Sequence, residues 1–476
     1  MSPVPVGYLN KLTNSSDMEV TAIFDIGKTN KKFFLFDEQF REVYRSYTRF
    51  EESVDEDGFP CENLSQLTFW MKETFREALA NPEFDIQSLN FSTYGASLVH
   101  LDNKGEAVTP LYNYLKPFPE DLSADFFKRY GPADEWAAQT ASPVMGMLNS
   151  GLQLFWLKYQ RPEVYAQIHQ SLHFPQYCTY LFTGKFFSEY TSIGCHTGMW
   201  NFQKKDYHRW IYEEEINRLL PPIQPTNTAI ETAIEGKNIK IGVGIHDSSA
   251  ALLPYIIANT EPFLLISTGT WSITLNPFSQ ESLSVDDLQK DCLNFLRVDG
   301  MPVRAARLFL GNEYKIWAKK LSDHFQKAYD SHRHVELNPA ILKKLESITK
   351  PVFHWESIHQ PGLEKRAPAS TDLSVFSSYE EAYHQLIKEL VELQVSALQL
   401  AKGKTVVRKA YIDGGFVDNE LFLQLLARSL GTIELIKTTS PLGSALGAAI
   451  AVNNRAVEPD FLLKHFSLQQ QKAIRQ

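Results

Sequence analysis

Ile23-Phe24-Asp25-Ile26-Gly27-Lys28-Thr29-Asn30-Lys31-Lys32 is an apolar strand that ends in a carboxylate, turns at a glycine and returns as Phe33-Phe34-Leu35-Phe36. These residue types make a tight hairpin with chemistry at its tip. Gly27 removes the Cβ from the turn, so successive N–H groups can face an anion, while Thr29 and Asn30 add hydroxyl and amide donors. Lys28 and Lys32 bring positive charge, and Asp25 can hold a cation through water. Such a set suits a metal-bound polyphosphate. Taken alone, the same residues also fit an ordinary β-turn with a solvated charged face.

A second copy favours the first reading. Phe263-Leu264-Leu265-Ile266-Ser267-Thr268-Gly269-Thr270-Trp271-Ser272-Ile273-Thr274-Leu275 again runs from an apolar strand through a glycine-centred turn into a departing strand. The two lie about half a chain apart, as duplication of one α/β unit would leave them. Facing each other across a cleft, two donor-rich hairpins could grip the phosphates of a nucleotide from both sides.

The 476 residues are enough for two domains with full cores, and the duplication selects two. A hydrophobic content of 43% and a charged content of 22% are those of a globular chain, without an apolar run long enough to span a bilayer. Met1 to Met18 lack the pattern of a secretory signal, so a cytoplasmic location is expected. Cys61, Cys178, Cys195 and Cys292 have no paired spacing that would suggest a disulfide framework or zinc site. With 47 basic against 56 acidic residues the net charge is -9, which disfavours a nucleic-acid binder.

The expected order is an arm over 1–18, an N-terminal domain over 19–248, a C-terminal domain over 249–455 and a tail over 456–476. Val20 to Asp25, Lys31 to Asp37 and Val43 to Phe50 read as a three-strand meander. Leu64, Leu67, Met71, Phe75 and Ala78 mark one face of a following helix. Leu89 to Thr93 is a strand running into Tyr94-Gly95-Ala96-Ser97, and Leu98 to Leu101 with the turn Asn103-Lys104-Gly105 reads as a further hairpin. The aromatic stripe Leu152, Phe155, Trp156 and Tyr159 reads as core. Cys292 to Val298 is expected to complete a second meander. The segment 322–372 is polar, and its histidines His324, His332, His334, His354 and His359 fit no zinc pattern. Ala382, Leu386, Leu390, Leu393 and Ala397 trace a long amphipathic helix. Lys409 to Ile412 then runs into Asp413-Gly414-Gly415, ahead of a helix from Glu420.

Asp247, beside His246 at the start of a helix of small residues, is placed to accept a proton from a substrate hydroxyl during phosphoryl transfer. A plain N-cap explains it as well. Gly414-Gly415 admits either a tight left-handed turn or a flat backbone against which an adenine can lie.

The order of these motifs resembles the FGGY family of carbohydrate kinases, within the actin and hexokinase-like ATPase fold, over about Val20 to Val452. That resemblance implies an α/β protein of two actin-like, ribonuclease H-like domains with a cleft between them, using ATP and Mg²⁺ on a small-molecule sugar, with neither nucleic acid nor membrane as partner; a homodimer stays open. It implies Asp247 as catalytic base and, with Asp25, as metal contact. Gly27, Lys28, Thr29, Asn30, Lys32, Ser267, Thr268, Gly269, Thr270, Gly414, Gly415, Phe416 and Asn419 are the implied nucleotide contacts. Tyr94, Gly95, Ala96, Asn113, His246 and Asp247 are the implied sugar contacts. His246-Asp247, Asp299-Gly300, Gly311-Asn312 and Trp317 look most like the rhamnulokinase branch. Three positions depart from the family pattern. Lys28 stands where Thr is usual, Gln153 where Lys is usual, and Tyr114 replaces an acid after Tyr112-Asn113. The expected reaction is phosphorylation of a ketose or 6-deoxyketose such as rhamnulose or fuculose. Xylulose, ribulose or a polyol is an alternative substrate, and a degenerate sugar sensor or actin-like ATP-binding protein an alternative class.

Overall fold

The computed structural model describes residues 18–358, 370–438, 442–454, 458 and 460–471. The expected arm, but for Met18, and His359 lie outside the described residues, as does part of the expected tail. The chain divides into two compact units, Met1–Ala258 with Asn294–Pro302 and Leu442–Pro459, and Asn259–Leu293 with Val303–Pro441 and Asp460–Gln476. The division differs from the one expected from sequence. A boundary after residue 248 would cut the helix Asp247–Ala258, and the helix Gly443–Asn453 belongs with the first unit although it follows the second in the chain.

In the first unit the strand Met18–Ile26 lies between Lys31–Asp37, antiparallel, and Phe84–Thr93, parallel; Glu42–Thr48 extends one side, and Lys237–Gly242 and Ala229–Ile234 the other. Ala22, Ile23, Phe24 and Ile26 are fully buried, so both faces of this strand are covered and its middle is apolar on both sides, interrupted by Thr21 and Asp25. Alternation along the strand sets the two faces apart. Val20, Ala22, Phe24 and Ile26 join a core with Leu67, Met71 and Phe75 of the helix Leu64–Ala80, whose first turn is capped by Asn63. Thr21 and Asp25 instead meet the helix Gly443–Asn453, through Asn453 Nδ2 donating to Thr21 Oγ1 at 2.9 Å and Ser444 Oγ donating to Asp25 Oδ1 at 2.8 Å. That helix also packs against Asp247–Ala258. A Cβ on Gly447 would lie 1.8 Å from the carbonyl oxygen of Ala250, so only glycine permits the approach.

The second unit repeats the plan. Phe263–Thr268 pairs antiparallel with Ser272–Asn276 and parallel with Lys409–Gly414, beyond which lie Glu434–Lys437 and the edge strand Gln469–Gln471. The strand pairing with Ser272–Asn276 is Pro302–Leu308, where the sequence pointed to Cys292–Val298. Arg304 and Arg307 broke its apolar pattern. They are held by ion pairs to Asp287 and Asp291, both at 2.7 Å. Helices Leu310–His324, Tyr379–Lys402 and Glu420–Leu430 supply the core. In the polar segment after Ser322, backbone N–H groups of Val352 and Phe353 donate to Glu389, and those of Glu356 and Ser357 to Glu313. Beyond the short helix Pro339–Leu345, these two buried carboxylates pair backbone N–H groups of a stretch, 348–358, that forms neither strand nor helix.

Strand Leu98–Leu101 pairs with Gln170–His173; across the expected Asn103-Lys104-Gly105 turn there is one isolated bridge, Leu101 to Ala107.

Candidate active site

In the first hairpin Asp25 sits opposite Lys32, whose Nζ lies 3.8 Å from Asp25 Oδ2. Burial raises the Asp25 pKa. Lys32 and Ser444 pull it down, and the nearby Asp247 carboxylate pushes it up. The two carboxylates named from sequence are therefore within electrostatic reach of each other. Ser444 was invisible as a partner because it stands more than four hundred positions away.

The turn closes through Gly27 N–H donating to Asn30 O at 2.9 Å, with an ordinary φ at Gly27. A Cβ there would stand 3.3 Å from that oxygen, so glycine serves tightness and not a left-handed bend. Lys28 Nζ pairs with Glu52 at 2.7 Å, and Asn30 Oδ1 accepts from Arg49 Nε at 2.6 Å. Thr29 is exposed. Lys31, not singled out in the sequence, is buried and donates to Glu62 Oε2 at 2.9 Å and to the Lys28 carbonyl at 3.0 Å, so it braces the turn from behind.

Asp247 opens its helix with a side chain about one-third exposed (35%). Its close polar contacts all fall on Oδ1: Ser248 N–H at 2.6 Å, Ser248 Oγ at 3.2 Å and His246 Nε2 at 3.1 Å. Oδ2 has no protein partner among the described residues. His246 is buried, and burial lowers its pKa, which keeps the imidazole neutral.

The implied sugar contacts divide. Tyr94 is buried, its ring 6.2 Å from that of Tyr114 and its hydroxyl donating to Glu62 at 3.3 Å. Gly95 faces protein, since a Cβ on it would lie 2.5 Å from Cys195 Sγ and 2.9 Å from His246 Cδ2. Ala96 adopts a left-handed φ of 56° and its carbonyl accepts from Gln153 Nε2 at 3.3 Å. Asn113 folds into a local turn, Oδ1 accepting from Leu115 N–H at 3.0 Å. Tyr114 is better placed than these four. It lines a cavity of about 530 Å³ with Phe118, Met145, Met147 and Leu148, and its hydroxyl pKa is raised by burial and then by the Asp247 charge.

In the second unit Ser267, Gly269 and Thr270 are exposed at the hairpin. Thr268 is buried, its Oγ1 donating to Asp413 O at 2.5 Å and accepting from Phe416 N–H at 3.1 Å, which ties the hairpin to the glycine turn. Gly414 has φ +88° and ψ −155°, and a Cβ there would fall 1.7 Å from Thr268 O. Around Gly415 a Cβ would meet nothing within 4 Å. Phe416 packs against Phe422 and Tyr314 with ring centroids 4.6 and 5.3 Å away. Asn419 caps the helix Glu420–Leu430 and donates to Tyr383. Those two hold the turn in place.

The arrangement fits the expected groups. Asp25 and Asp247 offer only oxygen, which suits a hard divalent cation. Exposed hydroxyls and backbone at Ser267, Gly269 and Thr270, with open space at Gly415, suit phosphates and a flat base.

Two family models match the chain. Residues 20–253 match the N-terminal domain of the FGGY family of carbohydrate kinases, and residues 260–459 match the carbohydrate kinase FGGY C-terminal domain. The chain belongs to this family and is an ATP-dependent carbohydrate kinase with the two-domain actin-like ATPase fold. A rhamnulokinase of Halalkalibacterium halodurans is 22% identical over 84% of this chain and 85% of its own length. An L-fuculokinase of Escherichia coli is 22% identical over 56% of this chain and 58% of its own. Among solved structures, a carbohydrate kinase from Novosphingobium aromaticivorans superposes with a TM-score of 0.76 at 21% identity, covering 97% of this chain and 95% of the other. Plasmodium falciparum glycerol kinase with ADP gives a TM-score of 0.72 at 15% identity, over 97% and 96%. No described helix is long and apolar enough to cross a membrane.

Proposed function

We propose that the protein transfers phosphate from ATP to a hydroxyl of a 6-deoxyketose of the rhamnulose or fuculose type, with Asp247 as general base. One observation carries the reading. The Asp247 carboxylate is anchored through Oδ1 alone, and its charge reaches Tyr114, a lining residue of the 530 Å³ cavity. A base held by one oxygen keeps the other for the incoming proton. Phe118, Met145, Met147 and Leu148 give this cavity an apolar side that suits a sugar ending in a methyl group, because a terminal hydroxyl turned to that side would have no partner, while Tyr114, Lys116, Glu120 and Ser123 offer polar groups for the other hydroxyls. The names of the two sugar-kinase relatives point the same way. Asp25 would hold Mg²⁺ through its water shell, with the nearby Asp247 charge adding to the attraction, and the ion would neutralise phosphate charge during transfer. Thr29 and the first-hairpin backbone are assigned to phosphate, as are Ser267, Gly269 and Thr270; Gly415 is assigned to the base.

The test is sugar-dependent ADP release over matched ketoses with and without the terminal hydroxyl. A kcat/KM at least about tenfold higher for 6-deoxyketoses is expected from the cost of one unpaired hydroxyl. Equal values, or a preference for xylulose, ribulose or a polyol, would remove the methyl pocket from the account.

A further inference from the structure

His246 is wedged more tightly than a substrate contact requires. Its Nε2 lies 3.1 Å from Asp247 Oδ1 and 3.1 Å from Cys195 Sγ. Its backbone N–H donates to Thr191 Oγ1 at 3.0 Å, and that hydroxyl donates in turn to the buried Glu189 at 2.8 Å. Nδ1 is buried with no hydrogen-bond partner among the described residues, so no ligand reaches the ring from that side without displacing protein. Above the ring the missing side chain of Gly95 leaves the room that Cys195 Sγ and the imidazole occupy together, at 2.5 and 2.9 Å from where a Cβ would be.

We propose that Cys195, with the space left by Gly95, is a positioning residue that fixes the His246 ring so that its Nε2–H holds Asp247 Oδ1. The inference rests on Asp247 being the base. An ionised carboxylate only accepts hydrogen bonds, so the Nε2 that faces it carries the proton and Nδ1 carries the lone pair. The sulfur, a weak acceptor beside the same N–H, limits rotation of the ring about its Cβ–Cγ bond. Without it the ring can turn and release Oδ1, after which the carboxylate no longer presents Oδ2 in one direction. No proton moves along this chain. Cys195 acts by shape and by accepting. Gly95 is thereby reassigned from the sugar to the support of the base.

The experiment compares Cys195→Ala, Cys195→Ser and Gly95→Ala with the wild type, measuring kcat and both KM values, with Asp247→Asn alongside. Thermal melts report folding, and ¹⁵N NMR of the wild-type imidazole reports its tautomer. Cys195→Ala is expected to lower kcat about tenfold to a hundredfold, the scale of a misdirected catalytic group, with KM for sugar and ATP within about threefold. Cys195→Ser, which keeps an acceptor of similar size, should recover most of kcat. Gly95→Ala should lower kcat, because its methyl group meets sulfur and ring. The wild-type spectrum should show the proton on Nε2. A proton on Nδ1 overturns the proposal without any variant, as does a Cys195→Ala kcat within twofold of wild type or a Ser variant as slow as Ala. If Asp247→Asn turns over like wild type, the base assignment itself falls. If Asp247→Asn is dead while Cys195→Ala is unaffected, only the positioning role falls.

Discussion

Gly414 and Gly415 are adjacent, and their substitutions should have opposite consequences. Gly415 has an ordinary φ, and a Cβ on it meets no atom within 4 Å. Valine there costs the fold only the propensity difference of a short helical turn, a few tenths of a kcal/mol. If the open space is where the adenine lies, the branched side chain occupies it. Loss of such a buried apolar contact is about 1–3 kcal/mol, or roughly tenfold to a hundredfold in ATP affinity. Gly414 combines φ +88° with ψ −155°, a region essentially confined to glycine, and a Cβ would sit 1.7 Å from Thr268 O on the neighbouring strand. Gly414→Ala therefore adds about 1–3 kcal/mol of backbone strain to about 1–3 kcal/mol of overpacking. At roughly 2–4 °C per kcal/mol the melting temperature should fall by about 10 °C in mid-range. Calorimetric melts and ATP titration of both variants read the two effects separately. A Gly415→Val protein that melts and binds ATP like wild type would refute the nucleotide placement, and a Gly414→Ala protein that melts like wild type would refute the backbone argument.

Asp25→Ala should weaken the magnesium dependence of turnover far more than sugar binding measured without nucleotide; an unchanged magnesium titration would contradict its role as metal contact. Lys31→Met strands the buried Glu62 carboxylate and should cost about 3–5 kcal/mol in a denaturant melt, with Lys31→Met/Glu62→Gln recovering much of it. An undamaged single variant would mean that the pair does not brace the hairpin. Burial raises Asp413 from its ordinary 3.8 to about 6. Between those values the unfolded chain has released its proton while the folded chain keeps it, so stability falls as pH rises, by up to about 3 kcal/mol. Asp413→Asn should therefore raise the melting temperature at pH 8 and leave it nearly unchanged at pH 3.5, whereas an equal shift at both values would show that Asp413 carries no such penalty.

Much of this was legible in the sequence, for local reasons. Both hairpins announce themselves by an apolar run, a small polar residue and a glycine within a few positions, and the strands Lys31–Asp37 and Phe263–Thr268 fall where that pattern puts them. Asp247 was singled out by its neighbours along the chain, and the structure puts it at the first turn of the helix Asp247–Ala258. What escaped were partnerships that skip the chain. Ser444 reaches Asp25 only because strand alternation places Asp25 on the face covered by the helix Gly443–Asn453. Cys195 stands against Gly95 and His246 from a separate segment, so the sequence assigned both to the sugar. Lys31 and Glu62 are charged residues that read as surface until the fold buries them together. At the late turn the pattern Gly-Gly was right as punctuation, but which of the two is left-handed depends on the Thr268 carbonyl one strand away.

The most direct test of the central claim is ADP formation by wild type and Asp247→Asn, each with and without a 6-deoxyketose, with ATP binding measured on both. Wild type should release ADP only when the sugar is present. Asp247→Asn should lose at least about a hundredfold of that rate, as removal of a general base does, while binding ATP within a few-fold. A variant that phosphorylates the sugar at the wild-type rate would contradict the account.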